Sequence, residues 1–224
     1  MTNLIVFDWD DVFTLGSQQG YFHCYQEAAA SVGIDLDLEI VRSRVLPKWG
    51  HPVHDEVTDL LPDHPHLVDQ AVAHYESIIT TEAFTRHLTF IEGGRELLTS
   101  LAQKYTLAVA SGSNPITLRQ VIFPQFSVPN VFDQVVCSED PPADMRGKPH
   151  PDMLLHIMKA QGASPEETLM VGDGHGDVHM AQAAGVTPVV VLTGVLNREE
   201  ALQLGVNHII GRVTDLPQLL REME

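Results

Sequence analysis

The amino-acid sequence predicts an α/β protein with a doubly wound parallel sheet and an inserted helical cap domain. The apolar run Leu4–Phe7 is typical of a buried parallel strand. From about Glu92 onward, short apolar segments alternate with amphipathic helical segments, which is the pattern of a parallel sheet with crossover helices. Residues 16–88 show helix-like periodicity and no convincing strand. We therefore predict a core over 1–15 and 89–224 and a helical domain over 16–88, an insertion of the kind that often covers an active edge.

The elements of the second half follow one another in a regular order. Gly185 ends one helix, and Ser164, Pro165 and Glu167 have the spacing of a capping box, which predicts a short helical turn before the next strand. The predicted elements are a helix over 92–104, a strand over 106–110, a helix over 116–122, a strand over 134–137, a helix over 151–161, a strand over 168–171, a helix over 177–184, a strand over 188–192, and a last helix, strand and helix.

The composition is that of a globular chain with a strong negative charge. Its 224 residues, 44% of them hydrophobic, suffice for a sizeable core. The 30 acidic residues outnumber the 13 basic ones and give a net charge of −17, and no basic run occurs. This charge balance argues against nucleic acid and anionic membranes as partners.

Cysteine usage and hydropathy bear on the compartment. Cys24 and Cys137 lie far apart and show no metal-ligand spacing, which favours a reducing compartment and buried thiols. No apolar run approaches the length that spans a bilayer, and no basic leader with a long apolar stretch precedes the first strand. We therefore expect a cytoplasmic protein that does not bind membranes.

Two acids, Asp8 and Asp10, follow the first predicted strand directly. The carboxyl end of a strand is where open α/β sheets place their ligands, so these acids lie at a candidate active edge. As the chain leaves the sheet, one acid can serve as a nucleophile and the other as a proton donor. The alternative at this point is a helix N-cap or a turn cluster.

Three further segments fall where the same edge would need them. Ser111 and Gly112 follow a strand and offer hydrogen-bond donors to an anion, and Lys148 lies in a loop before a helix. The alternative for Lys148 is a solvated loop charge. Asp173 and Asp177 follow another strand on a glycine-rich loop. Carboxylate oxygens on a compact loop suit Mg²⁺, which usually keeps water and substrate phosphate as its other ligands.

In this order, the four segments resemble the four motifs of the haloacid dehalogenase superfamily, and the resemblance covers nearly the whole chain. Residues 146–153 and 171–185 are similar to the C-terminal part of the phosphoglycolate phosphatase and β-phosphoglucomutase branch. In that branch, a helical cap of the type designated C1 follows the first motif. The resemblance therefore implies a Rossmann-like catalytic core and a helical cap, in agreement with the predicted fold.

The resemblance also implies a role for each site residue. Asp8 would attack phosphorus to form an aspartyl phosphate, and Asp10 would protonate the leaving group and later activate water. Mg²⁺ would be held by the Asp8 carboxylate, the Asp10 backbone carbonyl, Asp173 and Asp177. Phosphoryl oxygens would be bound by Ser111, Gly112 and Lys148.

Two positions depart from the family pattern. The family usually has glycine after the second acid of the first motif, where this chain has Asp11. It also commonly has an acid shortly after that turn, where this chain has Thr14, Leu15 and Gly16. The side chain of Asp11 could point to solvent, contact the cap or weaken turnover, and the sequence leaves these alternatives open.

The predicted function is a Mg²⁺-dependent phosphatase that acts on a small phosphorylated metabolite. The alternatives are a β-phosphoglucomutase-like mutase, an inorganic pyrophosphatase and, more remotely, a phospho-acceptor signalling module, which the early position of Asp8 and the long insertion oppose. Dehalogenases of the superfamily lack the acid at the Asp10 position. In the mutase a histidine of the first cap helix couples cap closure with proton transfer, but here Tyr21 takes the matching place and His23 lies two residues beyond it, about 200° around the helix. The predicted cap contacts to substrate are Lys48, Trp49, Gly50 and His51.

Overall fold

The computed structural model describes residues 2–48, 52–138, 140 and 145–223. In chain order, the strands are β1 (Leu4–Phe7), β2 (Thr14–Leu15), β3 (Thr89–Phe90), β4 (Thr106–Ser111), β5 (Gln134–Cys137), β6 (Thr168–Gly172), β7 (Thr187–Val191) and β8 (His208–Ile210). The helices are α1 (Ser17–Ser31), α2 (Leu38–Val45), α3 (Val53–Leu60), α4 (Val68–Ile78), α5 (Glu82–Thr85), α6 (Gly94–Leu101), α7 (Phe123–Gln125), α8 (Asp152–Gln161), α9 (His175–Ala184), α10 (Arg198–Gln203) and α11 (Leu216–Met223).

Six of these strands form one parallel sheet in the order β5-β4-β1-β6-β7-β8. Strand β1 lies at its centre, where Leu4 is in register with Thr106 of β4 and with Thr168 of β6. The strand order changes direction beside β1, and ligands bind at such a switch point in doubly wound sheets. The predicted fold class is confirmed, and Asp8 leaves the sheet at this point.

The hydrophobic core explains why the central strand is apolar throughout. All four residues of β1 are buried, since a parallel sheet is covered on both faces. On one face, a cluster joins Leu4 and Val6 of β1 to Met153 and Ile157 of α8 and Met180 of α9. The sheet therefore presents its chemistry only at the loops that follow the strands.

Most predicted elements occur with shifted ends, and one has a different geometry. The helix predicted over 116–122 is a π-helix over Thr117–Ile122 that continues into α7. Before it, the Asn114 side-chain oxygen accepts hydrogen bonds from the N–H groups of Ile116 and Thr117. The predicted turn before β6 is confirmed: Pro165–Glu167 is a 3-10 helix, and Glu167 accepts the N–H of Ser164 at 3.2 Å.

The chain divides into two compact units, Met1–Leu15 with Thr89–Glu224, and Gly16–Leu88. The second unit is the inserted one, and its described secondary structure is helical, with α1 packed against α4 and α5. Inside it the rings of Tyr25 and Tyr75 stack at 4.6 Å, and the Tyr25 hydroxyl donates to the buried carboxylate of Glu56. We refer to these units as the sheet unit and the inserted unit; their catalytic and capping roles remain predictions. None of the described helices is long and apolar enough to cross a membrane.

Candidate active site

The loop after β1 is held in place by its own aromatic side chains. Asp8 continues the sheet through its N–H, which donates to the carbonyl of Val171 at 2.8 Å, and its carboxylate accepts the N–H of Trp9 at 2.7 Å. The Trp9 ring is fully buried and packs 4.6 Å from Phe123 and 5.1 Å from Phe13. An anchored residue between the two acids fixes the backbone from which both carboxylates project.

Asp10 is held by hydroxyl groups from two other places in the chain. Its Oδ2 accepts a hydrogen bond from the Ser113 hydroxyl, and the Thr14 hydroxyl lies 3.4 Å from its Oδ1. Ser113 in turn donates its N–H to the Ser111 hydroxyl oxygen at 3.1 Å. The segment after β1 and the segment after β4 are thus joined at this edge by a direct hydrogen bond between side chains.

The central feature of the site is a group of carboxylates around Lys148. The Lys148 ammonium lies 2.8 Å from Asp8 Oδ1 and 2.6 Å from Asp177 Oδ1, and its side chain is only 13% exposed. Carboxylate oxygens of Asp8, Asp173 and Asp177 lie within 4.8 Å of one another. Residues from the ends of β1 and β6 and from the loop before α8 therefore meet in one place, which argues against a solvated loop charge at Lys148.

Two glycines make room for the acids of this group. A Cβ at Gly172 would lie 2.3 Å from Asp177 Cγ, and a Cβ at Gly194 would lie 1.8 Å from Asp173 Oδ2. The Asp177 carboxylate accepts the N–H groups of Asp173 and Gly174 at 3.2 and 3.0 Å, so it also caps α9. The Asp173 carboxylate accepts the N–H of Val195 at 2.9 Å.

The electrostatics of the group are those of crowded negative charge. Burial, together with the charge of Asp177, raises the pKa of Asp8 to about 7, although Lys148 opposes the shift. Burial and the charges of Asp8 and Asp177 raise the pKa of Asp173 well above its ordinary value. Burial alone would lower the pKa of Lys148, but the carboxylates of Asp177 and Asp8 outweigh it and raise that pKa.

The residues present fit a divalent cation. Three carboxylates lie together and one ammonium group contacts two of them, so two positive charges are missing from the local balance. Hard oxygen ligands of this kind suit Mg²⁺, and a divalent cation would remove the repulsion that raises the pKa values of Asp8 and Asp173. The Asp10 side chain is not one of the three; the predicted ligand from Asp10 is its backbone carbonyl, and it stays a prediction.

Asp11 occupies a backbone conformation that explains why glycine is usual at this position. Its φ is +54°, in the left-handed region, which aspartate tolerates better than most residues. Its N–H donates to the carbonyl of Thr14 at 2.7 Å, and its own carbonyl accepts the Thr193 hydroxyl at 2.5 Å. The side chain is 9% exposed and adds to the negative charge that raises the pKa of Asp173. A fourth acid is therefore buried beside the group.

The remaining predicted site residues fall into two sets. Ser111 is fully buried at the end of β4, and Gly112 next to it is exposed, with open space where a side chain would be. In the inserted unit, Lys48 pairs with Asp59 at 2.9 Å. Trp49, Gly50 and His51 lie outside the described residues. The assignment of Lys48 to substrate binding remains a prediction.

Residues that the sequence reasoning did not assign complete the site. These are Thr14 and Ser113, which contact Asp10, and the loop over 193–195, which contacts Asp11 and Asp173. Two signals in the sequence point to them. Ser113 belongs to the polar segment after β4, and Thr193 and Gly194 follow β7, so the rule that strand ends carry the site extends to one more strand.

Comparison with known proteins agrees with this geometry. The family model of the haloacid dehalogenase-like hydrolases matches residues 2–185. A segment of 89 residues is 35% identical to the pyrophosphatase PpaX of Bacillus mycoides and covers 40% of each chain. A segment of 63 residues is 43% identical to the phosphoglycolate phosphatase of Escherichia coli and covers 28% of this chain and 25% of that protein.

The matched segments thus span two fifths or less of these relatives' length. The fold is similar over the whole chain to that of a predicted phosphatase from Clostridium acetobutylicum, with a TM-score of 0.79, 21% identity and 99% of each chain covered. The predicted site residues of the sheet unit lie within the region that the family model matches, and the loop over 193–195 lies beyond it. This chain belongs to the haloacid dehalogenase-like hydrolases.

Proposed function

We propose that this protein is a Mg²⁺-dependent phosphatase that hydrolyses a small phosphate ester through an aspartyl phosphate on Asp8. The observation that carries the proposal is the cluster of the Asp8, Asp173 and Asp177 carboxylates, two of which, Asp8 and Asp177, contact the ammonium group of Lys148. A carboxylate nucleophile beside a fixed cation suits an anionic electrophile, and a phosphoryl group is such an electrophile. The bound Mg²⁺ would supply charge neutralisation for the nucleophile and the phosphoryl oxygens.

In the first step, an Asp8 carboxylate oxygen attacks phosphorus, and the bond from phosphorus to the ester oxygen breaks. Asp10 gives its proton to the departing oxygen, so the alcohol leaves neutral. Lys148 and the hydroxyl of Ser111 bind phosphoryl oxygens and stabilise their charge in the transition state. In the second step, Asp10 takes a proton from water, the water oxygen attacks phosphorus, and the Asp8 carboxylate is released with inorganic phosphate.

The substrate class follows from the relatives and from the inserted unit. The relatives named above are a pyrophosphatase and a phosphoglycolate phosphatase, which supports a small phosphorylated metabolite or pyrophosphate as substrate. The family and the negative charge of the chain are compatible with a cytoplasmic enzyme of small metabolites. In the inserted unit, the His23 ring stacks on His87 at 4.3 Å, so this histidine is engaged in its own unit. That contact supports a phosphatase over a mutase that uses a cap histidine.

A panel of small phosphate esters and pyrophosphate, assayed with and without Mg²⁺, tests the proposal. We expect release of inorganic phosphate with multiple turnovers, and no release after chelation of the metal. β-Glucose 1-phosphate distinguishes the mutase. Stoichiometric conversion to glucose 6-phosphate without phosphate release, lost in His23→Ala, would replace the phosphatase proposal with the mutase. A single phosphorylation of Asp8 without turnover would favour the signalling module.

A further inference from the structure

The Ser113 hydroxyl contacts Asp10 directly, and no role for it follows from the sequence motifs. Ser113 lies 103 residues after Asp10 in the chain, is 4% exposed, and donates its hydroxyl to Asp10 Oδ2. We infer that Ser113 is a positioning residue, which holds the Asp10 carboxyl group in the orientation that delivers a proton to the leaving oxygen. This inference rests on the proposed function.

The backbone around Ser113 fixes the direction of its hydroxyl. Its N–H is bound to the Ser111 hydroxyl oxygen at 3.1 Å, within a tight turn at the end of β4. The next residue, Asn114, caps the following helical segment, so the chain is restrained on both sides of Ser113. A buried donor with a restrained backbone can select one rotamer of its acceptor.

The orientation of Asp10 matters for a different reason from that of the other acids, because in the proposed mechanism Asp10 delivers the proton. The carboxylates of Asp173 and Asp177 accept backbone N–H groups, and Asp8 accepts the N–H of Trp9 and the ammonium of Lys148. The Asp10 carboxylate accepts the Ser113 hydroxyl at Oδ2, and the Thr14 hydroxyl lies 3.4 Å from Oδ1. The Ser113 bond is the closer of these two hydroxyl contacts, so its loss should let the carboxyl group shift, and an acid misplaced by about 1 Å can lose about 100-fold in rate.

This role differs from phosphoryl binding in how it depends on the leaving group. A proton donor accelerates cleavage of the ester bond when the leaving group is an alkoxide, and has little effect on the rate when it is a nitrophenolate. The value of kcat/KM reports the step that breaks the ester bond, so it separates the two roles. We expect Ser113→Ala to lower kcat/KM about 30- to 100-fold for an alkyl phosphate, and about threefold or less for p-nitrophenyl phosphate. Asp10→Asn should show the same selectivity with a larger loss.

The control variant is Thr117→Val, and the rescue variant is Ser113→Thr. Thr117 is also buried, four residues further on, and its hydroxyl has no hydrogen-bond partner among the described residues. Thr117→Val should keep the activity on both the alkyl phosphate and p-nitrophenyl phosphate. Ser113→Thr should recover the alkyl phosphatase activity that Ser113→Ala loses. Adding Ser113→Ala to Asp10→Asn should cost little more, because the two residues act through one group.

Each result decides the question. Equal losses on both substrates, or additive losses in the double variant, would show that Ser113 binds the phosphoryl group or maintains the fold, and would overturn the inference. Undiminished alkyl phosphatase activity in Ser113→Ala would also overturn it. Failure of the proposed function gives a different result, since the unsubstituted protein would then release phosphate from neither ester with Mg²⁺.

Discussion

The two units of the protein differ in how they balance charge. In the inserted unit, ion pairs are formed one to one, as between Lys48 and Asp59 or between Arg86 and Glu27. At the strand ends of the sheet unit, the carboxylates of Asp8, Asp173 and Asp177 lie within 4.8 Å of one another, and the ammonium of Lys148 contacts only Asp8 and Asp177 among them. Locally balanced pairs are sufficient to explain structure, whereas a buried excess of one sign is costly unless a ligand compensates for it. We therefore propose the unbalanced group as the functional site.

This contrast also separates chemistry from specificity. In the proposed mechanism, the groups that form and break bonds belong to the sheet unit and lie at or beside its strand ends. The inserted unit carries the predicted substrate contacts Lys48, Trp49, Gly50 and His51, of which the described residues include only Lys48. Variants in the sheet unit should abolish turnover on every substrate, and variants in the inserted unit should change substrate preference.

The largest effect is expected from Asp8→Asn. The amide is nearly isosteric, but it is a far weaker nucleophile, so turnover should fall by about 10³-fold or more while the fold persists. Phosphate release and thermal unfolding measure the two properties. Asp133→Asn is the matched control, because Asp133 is an exposed acid of the same unit. Near-normal activity of Asp8→Asn would refute the assignment of the nucleophile.

A loss of about 10²- to 10³-fold in kcat/KM is expected from Lys148→Ala. The variant removes a cation that contacts Asp8 and Asp177 and that would bind the phosphoryl group in the transition state. Lys159→Ala, which changes an exposed lysine of α8, should leave kcat/KM unchanged. A small rise in KM with kcat intact would instead indicate that Lys148 is a peripheral charge.

Removal of the metal, or of its ligands, should distinguish the two acids after β6. We expect activity to be lost on chelation, and Asp173→Ala to weaken Mg²⁺ binding more than Asp177→Ala does. Asp177→Ala should in addition cost about 1 kcal/mol of stability, since Asp177 caps α9. Magnesium titrations of activity and denaturant unfolding of the metal-free proteins measure both effects. Full activity of metal-stripped protein would contradict the metal assignment.

The sheet and the meeting of its acidic strand ends could be predicted from the sequence because they follow from local patterns and from the topology of a parallel sheet. Apolar runs and capping residues set the elements, and the topology of a parallel sheet brings strand ends such as Asp8 and Asp173 together. The contact between Ser113 and Asp10 and the approach of Gly194 to Asp173 depend on side-chain packing across the sheet, which no local pattern encodes. The π-helical geometry after β4 could not be predicted either, because the periodicity of apolar residues does not distinguish a π-helix from an α-helix.

In the inserted unit, too, the sequence predicts the helices but not the side-chain contacts between them. Its helical character follows from periodicity, but the partners of its polar residues do not. Lys48 is bound to Asp59, 11 residues further along the chain, and Tyr25 is bound to Glu56, 31 residues further. Both pairs join different helical segments, so they are set by tertiary packing.

The pH dependence of stability should also follow the unbalanced charge of the sheet unit. Burial and the charge of Asp177 raise the pKa of Asp8 from 3.8 to about 7 in the metal-free protein, so the folded state holds this proton more tightly than the unfolded state. Stability should therefore fall by a few kcal/mol as the pH rises from about 4 to about 7, since each pKa unit corresponds to ~1.4 kcal/mol. Denaturant unfolding with EDTA measures this slope.

Two comparisons isolate the source of that slope. Asp8→Asn removes the titrating group, so its stability should depend less on pH over this range. Mg²⁺ competes with the proton for the carboxylates, so it should stabilise the protein more at pH 8 than at pH 5. An unchanged slope in Asp8→Asn would show that the pH dependence arises elsewhere in this acidic chain.

The smallest effect is expected in the inserted unit, from Lys48→Ala. If Lys48 contacts the substrate, its loss should raise KM about 3- to 10-fold and leave kcat nearly unchanged, since Lys48 belongs to none of the four sequence motifs that carry the reacting groups. Asp59→Asn is the matched control, because it breaks the same ion pair but keeps the lysine. The pair is more than a third exposed at both side chains, so either variant should change the free energy of unfolding by only about 0–1 kcal/mol. A rise in KM confined to Lys48→Ala assigns the charge to substrate binding. Equal rises in both variants would mean that the pair only maintains the structure of the inserted unit, and unchanged KM values would remove Lys48 from the substrate contacts.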